Sequence, residues 1–519
     1  MDTDSTKWLK LRSGSDIRGP AAQLNDETAE KIGYAFACAM AEKLGTTPDR
    51  LKIAVGRDSR ASGKRVLAAL IRGITAADSD VLDCGLCAAP ALYMTVGAAQ
   101  PPEARAEDDA AVDTPASADG AVMVTASHHA AGLNGFKFLT RAGGLNEEEV
   151  AGILRRAAGT TVPERLVIKY DAGAPYAERL RRTVEKYLED DALRPLLGMH
   201  VIVDGSGGPG GAFAAFLESL GAETDGSLHL EPDGGFPDHA PDTEDPTALE
   251  ALRARVLEYR ADLGVIFDAD CDRCAIVDES GRVYHRNRLI ALVAAMLLDK
   301  EPGATIVTDS VTSSGLSAFI AEWGGVHYRF KRGYRNVIDE AARLNAEGID
   351  CPLAIETTGH AAFRENEFLD DGIYLATRII CEAFERKREG DTLATLIEGL
   401  AEPVERTEIR MRILDEEAPA ESVQEIVEMI LSHTLENPEW QMALDSREGV
   451  RITFNLDGGV NNAWFQLRMS IHDPVVVLNA ESDVAGGVRR VLGALYQRIG
   501  GTDALDLAPL RAALENGEA

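Results

Sequence analysis

Basic residues are scarce in this chain: 53 Lys and Arg stand against 85 Asp and Glu, giving a net charge of −32. Such a surface repels a phosphate backbone, which excludes nucleic acid as a partner, while small anions stay admissible wherever a few cations line a pocket. Long apolar runs are missing too. No stretch reaches the roughly 20 uninterrupted apolar residues of a membrane helix, so no membrane partner is expected. Cysteine is sparse and odd in number, with seven residues. Residues 1–14, MDTDSTKWLKLRSG, lack the apolar centre of a secretory signal and the acidic-poor character of a transit peptide. Reduced thiols and a cytoplasmic location are therefore expected; a presequence outside this chain would place the protein instead in an organelle such as a plastid. The 519 residues, 45% hydrophobic and 27% charged, suffice for roughly three or four domains, each burying its own core.

Chemistry concentrates in a few loops. Residues 122–138, VMVTASHHAAGLNGFKF, begin as a buried strand and stop at Ser127 and His128, followed by Ala, Gly and Asn of a loop. Open α/β sheets bind ligands outside the carboxyl ends of their strands. A hydroxyl, an imidazole and an amine at Ser127, His128 and Lys137 thus form a candidate covalent site, with a polar surface turn as the plain alternative.

Residues 262–281, DLGVIFDADCDRCAIVDESG, carry the second signal. Read as extended backbone, Asp268, Asp270 and Asp272 project to one side of the chain. Three converging carboxylates are costly to hold without a cation, and an all-oxygen set suits Mg²⁺; a solvated acidic turn is the alternative. Two C-x-x-C pairs, Cys84/Cys87 and Cys271/Cys274, invite a zinc site. They lie far apart in sequence and the second is interleaved with the aspartates, so they are read as unrelated thiols. The glycine-rich turn in residues 199–211, MHVIVDGSGGPGG, lacks G-x-G-x-x-G spacing and is not read as a dinucleotide site. Residues 97–120, rich in Ala, Pro, Asp and Glu, cannot bury a core and read as a flexible surface insertion.

The string TASHHAAGLNGFK resembles the active-serine loop of the α-D-phosphohexomutases, the phosphoglucomutase and phosphomannomutase superfamily. That loop runs T-A-S-H-N-P-x-x-x-N-G-x-K, and here His129 and Ala130 replace Asn-Pro. DADCDR resembles the family's metal loop D-G-D-G-D-R, with Ala269 and Cys271 in place of glycines and Arg273 retained. LRSGSDIRG resembles its N-terminal segment, whose Arg, here Arg18, faces the active cleft. VGRDSRASG resembles V-G-R-D-x-R-x-S-G, in which Arg57 is expected to position the serine loop. EPDGGFPDHAPDTEDP, residues 231–246, resembles P-D-G-x-F-P-x-H-x-P, with a structural role expected.

The basic patch of Lys331, Arg332 and Arg335 around Gly333 resembles a family loop that helps choose between sugar orientations. AIETTGH resembles the E-x-S-G-H sugar loop with Thr358 for Ser; Glu356 and Thr358 are spaced to hydrogen-bond adjacent hydroxyls, and His360 joins them as an expected substrate contact. The C-terminal segment departs most from the family. Its phosphate loop R-x-S-[GN]-T-E-P-x-x-R keeps Arg468 and Ser470 but has Ile471 at the turn, His472 for Thr and Val477 for the second Arg. Arg468, Ser470 and His472 are the expected phosphate contacts.

The resemblance spans residues 11–481. It implies three similar mixed-sheet α/β domains and a C-terminal α+β domain around a central cleft, at residues 1–164, 165–283, 284–403 and 404–519. It also implies reversible phosphoryl transfer between O1 and O6 of a hexose phosphate. Ser127 would be carried as phosphoserine, with a hexose 1,6-bisphosphate as intermediate and activator. One Mg²⁺ per chain on Asp268, Asp270, Asp272 and Ser127 is implied, with charge from Arg18 and Arg273 and with Lys137 or His128 as general acid or base. Sugar phosphates are the expected partners; the particular sugar and the oligomeric state stay open. The other readings are a phosphatase, which admits water to the same phosphoserine, and a non-catalytic sugar-phosphate binder suggested by the altered C-terminal loop.

Overall fold

The computed structural model describes residues 7–97, 118–162, 168–415, 418–470 and 473–516. The insertion read at residues 97–120 lies almost wholly outside the described residues, and Ile471 and His472 lie outside them. The chain forms two units: Met1–His285 with Thr358–Thr395, and Arg286–Thr357 with Leu396–Ala519. No helix among the described residues is long and apolar enough to cross a membrane.

In the first unit, Lys52–Arg57 (KIAVGR) sits inside a mixed eight-stranded sheet because its middle four residues are buried and offer no polar face. It pairs in parallel with Asp80–Leu86 on one side and Gly120–Val124 on the other. The sheet continues antiparallel from Gly120–Val124 through Leu133–Thr140 to Asp16–Pro20. One hairpin therefore carries both Ser127 and Lys137, and the next strand brings Arg18 opposite Gly135.

Alternate residues of these strands, Ile53, Val55, Val122, Val124, Phe136 and Phe138, join one buried cluster with Phe36 and Leu70 from the covering helices Asp26–Leu44 and Gly63–Ala76. Each such side chain contributes about 1.5–3 kcal/mol when fully buried. The helices touch through glycine: a Cβ at Gly33 would lie 2.3 Å from the Leu70 carbonyl oxygen, and one at Gly73 would lie 1.8 Å from that of Glu30. Alanine at either position would push the helices apart.

A second, four-stranded sheet of this unit runs Val283–Tyr284, Cys274–Asp278, Leu263–Phe267, Val201–Asp204. Leu263–Phe267 is the strand expected from its apolar run, parallel to Val201–Asp204 and antiparallel to Cys274–Asp278. The aspartates between Phe267 and Cys274 do not continue it. They occupy a turn in which Asp268 O accepts from Cys271 N at 3.3 Å and Cys271 takes φ 65°. The carboxylates converge because the chain folds back, which corrects the expectation of an extended, pleated run.

In the second unit, Thr305–Thr308 pairs in parallel with Val326–Arg329 and Leu353–Ile355. The C-terminal part is an antiparallel sheet ordered Glu405–Arg412, Val475–Ser482, Ala463–Met469, Val450–Phe454, Gln441–Met442. Its apolar face and the helices Pro419–Glu436 and Gly487–Ile499 share a core of Ile452, Phe465, Leu478, Ile430 and Val491.

Candidate active site

Ser127 follows the strand Gly120–Val124 in a left-handed conformation, φ 53°, unusual for a residue with a side chain. Strain of this kind persists where the surroundings over-determine it, and here they do. Ser127 N donates to Thr125 Oγ1 at 2.8 Å, and Thr125 Oγ1 donates to Asp58 Oδ2 at 2.8 Å. Arg60, 1% exposed, donates to the carbonyls of Ser127, His129 (2.7 Å), Ala130 (2.8 Å) and Leu133 (3.1 Å). Asp58 holds Arg60 in turn, Nε to Oδ2 at 2.8 Å. Burial, aided by Asp270 and opposed by Arg60, pushes the Asp58 carboxyl up to about 6. Arg57, the residue expected to position the loop, donates instead to the Asp58 carbonyl at 2.8 Å. The loop belongs to Arg60. The signal was in the string RDSR, where a buried Asp two residues before an Arg forms a side-chain pair, but sequence could not say which Arg turns inward.

Ser127 Oγ donates to Asp268 Oδ2 at 2.9 Å. The candidate metal-ligand oxygens of Asp268, Asp270 and Asp272 lie within 4.8 Å of one another, and all three residues are buried. Burial and the two neighbouring carboxylates push Asp268 well above the usual carboxylate range. Oδ1 of Asp270 and of Asp272 accepts no hydrogen bond among the described residues. A hard, all-oxygen donor set with unspent acceptors fits a divalent cation of the magnesium type.

Lys137 enters the same cluster from the hairpin's second strand, 2.9 Å from Asp270 and hydrogen-bonded to Asp272. Burial pulls its pKa down, but Asp270 and Asp272 outweigh that and raise it well above the usual lysine value. His128 Nδ1 lies 3.4 Å from Ser127 Oγ, and its ring stacks on His129 with centroids 4.4 Å apart. Burial first, then Arg273 and other cations, drive its pKa far down, so the ring is neutral.

Two arginines complete this cluster. Arg18 Nη2 donates to Asp16 at 2.8 Å, while its buried Nε and Nη1 have no hydrogen-bond partner among the described residues. An unspent buried guanidinium edge is suited to a phosphoryl oxygen. Arg273 N donates to Asp268 Oδ1 at 3.2 Å, and its Nε donates to His360 Nε2 at 2.8 Å. His360 Nδ1 lies 2.7 Å from Asp370, and the residue is 4% exposed. His360, an expected substrate contact, thus lies between Arg273 and Asp370 beside the aspartate cluster. Thr358 is half-buried and accepts through its carbonyl from Thr243 at 3.3 Å.

The thiols Cys84, Cys87, Cys271 and Cys274 are buried and free, and burial pushes all four up, Cys84 to about 12. They are protonated fillers. Cys271 occupies a left-handed position that favours glycine.

The remaining expected contacts lie in the second unit. Glu356, 3% exposed, accepts from Gly333 N at 2.5 Å. Arg332 N donates to Glu448 at 3.2 Å, and its Nε lies 3.9 Å from Asp309. Arg335 pairs with Asp339 one turn along its own helix at 2.6 Å. Arg468 is 4% exposed; burial and Arg332 lower its pKa. Ser470 N donates to Val475 O at 2.9 Å, closing a hairpin, so Val477 lies within the strand Val475–Ser482. Val477 pairs with Arg468 on one side and Arg410 on the other. Paired residues of antiparallel strands share a face. Arg410, unremarked in the sequence, therefore stands beside Arg468 with Val477 between them, 58% exposed and 3.5 Å from Asp473.

Comparison with known proteins agrees with this geometry. The family descriptions "Phosphoglucomutase/phosphomannomutase, alpha/beta/alpha domain" I, II and III match residues 10–161, 174–281 and 285–404. A phosphomannomutase/phosphoglucomutase of Pseudomonas syringae pv. tomato is 30% identical over 93% of this chain and 94% of its own. The crystal structure of a phosphoglucomutase/phosphomannomutase family protein from Burkholderia thailandensis superposes with a TM-score of 0.76 at 25% identity, covering 95% of this chain and 97% of that one. The fold also matches an Aspergillus fumigatus N-acetylphosphoglucosamine mutase, solved in complex with GlcNAc-6P and magnesium, at TM-score 0.57 and 13% identity over 97% of this chain and 100% of that one. With a strained serine bonded to a three-aspartate loop and matches over nearly its whole length, the chain belongs to the phosphoglucomutase/phosphomannomutase family of the α-D-phosphohexomutase superfamily.

Proposed function

We propose that this chain is a hexose-phosphate mutase, an isomerase that moves a phosphoryl group between O1 and O6 of a hexose phosphate through Ser127. The observation that carries the reading is the 2.9 Å bond from Ser127 Oγ to Asp268 within a buried cluster of three carboxylates and one ammonium.

Ser127 carries the phosphoryl group. The free hydroxyl of a hexose monophosphate takes it, breaking the Ser127 O–P bond and releasing the hydroxyl proton. The hexose 1,6-bisphosphate then presents its other phosphoryl group, which returns to Ser127 Oγ and leaves a hydroxyl in its place. In each transfer the proton passes between the sugar hydroxyl and Ser127 Oγ, and the two groups beside that oxygen's cluster are His128, 3.4 Å from Oγ, and the Lys137 ammonium held by Asp270 and Asp272. Arg18, with its unspent guanidinium edge, and Arg273, held by His360, stabilise charge on the group in transit. Asp268, Asp270 and Asp272, with the Ser127 oxygen, would hold Mg²⁺, which when bound supplies Lewis-acid neutralisation of the transferring group. In the second unit, Glu356 and Arg332 are suited to sugar hydroxyls, and Arg468 with Ser470 to the phosphate that is not transferring.

Incubation with glucose 1-phosphate, Mg²⁺ and trace glucose 1,6-bisphosphate tests the reading. Glucose 6-phosphate should form, and Ser127→Ala should abolish it. Net phosphate release without interconversion would favour a phosphatase. Inertness toward glucose, mannose and N-acetylglucosamine phosphates alike would overturn the mutase reading.

A further inference from the structure

A second cluster of metal-ligating side chains stands outside the serine site, in the same unit. Asp204, the fully buried last residue of the strand Val201–Asp204, faces two histidines from the segment that follows the glycine-rich turn. His229 Nδ1 lies 2.9 Å from Asp204 Oδ1, His239 Nε2 lies 3.3 Å from Asp204 Oδ2, and the two ring nitrogens lie 3.2 Å apart. Zinc–nitrogen bonds of 2.0–2.1 Å in a tetrahedron place neighbouring donor atoms about 3.3 Å apart. The two ring nitrogens have that spacing, and one Asp204 oxygen faces each of them at 2.9 and 3.3 Å, so the three residues bring their donor atoms within 4.8 Å of one another.

The other nitrogen of each ring is also held. His239 Nδ1 donates to the Ala240 carbonyl at 2.7 Å, which assigns the proton to Nδ1 and leaves Nε2 with its lone pair aimed at the cluster. His229 Nε2 lies 3.3 Å from Asp238 Oδ2. Distal nitrogens engaged by a backbone carbonyl and a carboxylate are the usual outer supports of metal-bound histidines. His229 adopts φ 49°, so its backbone is strained into the position from which the ring reaches Asp204. The His239 side chain is 4% exposed and that of His229 24%, and the cluster borders a cavity of about 460 Å³ lined by Ser206, Ser227 and Asp238. An ion held by three protein atoms would keep a fourth position toward that space.

We propose that Asp204, His229 and His239 form a binding site for a divalent transition-metal ion of the zinc class. Two imidazoles and one carboxylate prefer such an ion to Mg²⁺, whereas the all-oxygen Asp268 cluster has the opposite preference. The two sites are distinct in chemistry and joined by the fold. Asp204 pairs with Ile266, two residues before Asp268. Ser206 Oγ donates to Phe267 O at 2.7 Å, and Gly208 packs so closely that a Cβ there would lie 2.8 Å from Ala269 O. The ion would clamp the turn on which the aspartate loop rests. The expected structural role of the loop at residues 231–246 thereby becomes a ligand role for His239 and a supporting one for Asp238.

The full-length protein, stripped with a chelator and returned to millimolar Mg²⁺, should bind one equivalent of Zn²⁺ by calorimetry. Co²⁺ in its place should give the intense visible absorption of a tetrahedral site, with two imidazole ligands by X-ray absorption. Asp270→Asn should leave this binding intact. His229→Gln and His239→Gln should abolish it, and Asp238→Asn should weaken it by on the order of 10–100-fold. Because a His239 variant could unfold, the spectrum of the unaltered protein stands as an independent readout. No Zn²⁺ uptake in Mg²⁺, uptake that survives His229→Gln, or an all-oxygen Co²⁺ spectrum would each overturn the site and leave the cluster as histidines joined by protons alone.

Discussion

Arg60 hydrogen-bonds the backbone carbonyl of Ser127, and with its remaining donors it holds three more carbonyls of the same loop. The serine is thus placed by a buried guanidinium that never meets its hydroxyl. Removing Arg60 leaves Asp58 buried without its counter-ion and four carbonyls without a donor. Arg60→Ala should cost about 3 kcal/mol of stability. A serine displaced by about 1 Å should also lose roughly 100-fold in kcat. Arg57→Ala should change both far less. Steady-state kinetics with urea unfolding of the two variants checks this, and equal effects would refute it.

Lys137 is the ammonium inside the carboxylate cluster, so its loss removes a proton source and concentrates negative charge around Ser127. Lys137→Met should lower kcat by on the order of 10²–10⁴-fold. In the same variant the Mg²⁺ requirement should shift to lower concentration, because the metal no longer competes with a fixed cation. A fall in kcat without that shift would limit the lysine to proton transfer.

Arg410 stands on the face that carries Arg468, in register across Val477. The family motif places its second phosphate arginine at position 477, and here a neighbouring strand supplies a guanidinium on the same side. Arg410→Ala should raise KM for the sugar phosphate about 10-fold, the loss of one charged hydrogen bond of roughly 1.5 kcal/mol, with little change in kcat. An unchanged KM would show that Arg468 grips alone.

Burial, opposed by Arg451, Arg406 and Arg286, pushes the Glu481 carboxyl up from 4.5 to about 7. Between those values the folded protein keeps a proton that the unfolded chain has lost, so stability falls as pH rises through the window. The total is on the order of 3 kcal/mol above pH 7. Glu481→Gln should be more stable than the unaltered chain at pH 8 and nearly equal to it at pH 4.5. A difference independent of pH would show that the carboxyl ionises normally.

The loops that do chemistry were legible because their residue types are chemically committed. A Ser-His pair at a strand end and three aspartates after an apolar run state what they can bind, and Leu263–Phe267 matches its expected bounds. What sequence could not supply was direction. Arg57 and Arg60 are equivalent on paper, yet one faces a neighbouring carbonyl and the other the buried loop. Nor could sequence show that His360 meets Arg273. Arg410 acquires its place from strand pairing between segments far apart in the chain, whereas His229 and His239 reach Asp204 from the loop that folds back over the end of its strand.

By itself, then, the sequence determined the donor atoms: hydroxyl, carboxylates, ammonium and imidazoles at fixed positions, with hydrophobic runs long enough to bury the strands that carry them. Only the tertiary structure decided which donors meet. It also turned the aspartates into a cluster by bending the chain at Cys271 and strained Ser127 into the left-handed region. The physical reason is range. Side-chain chemistry and strand periodicity are local properties, whereas convergence is set by sheet register and by burial that leaves a polar group only the partners packed against it.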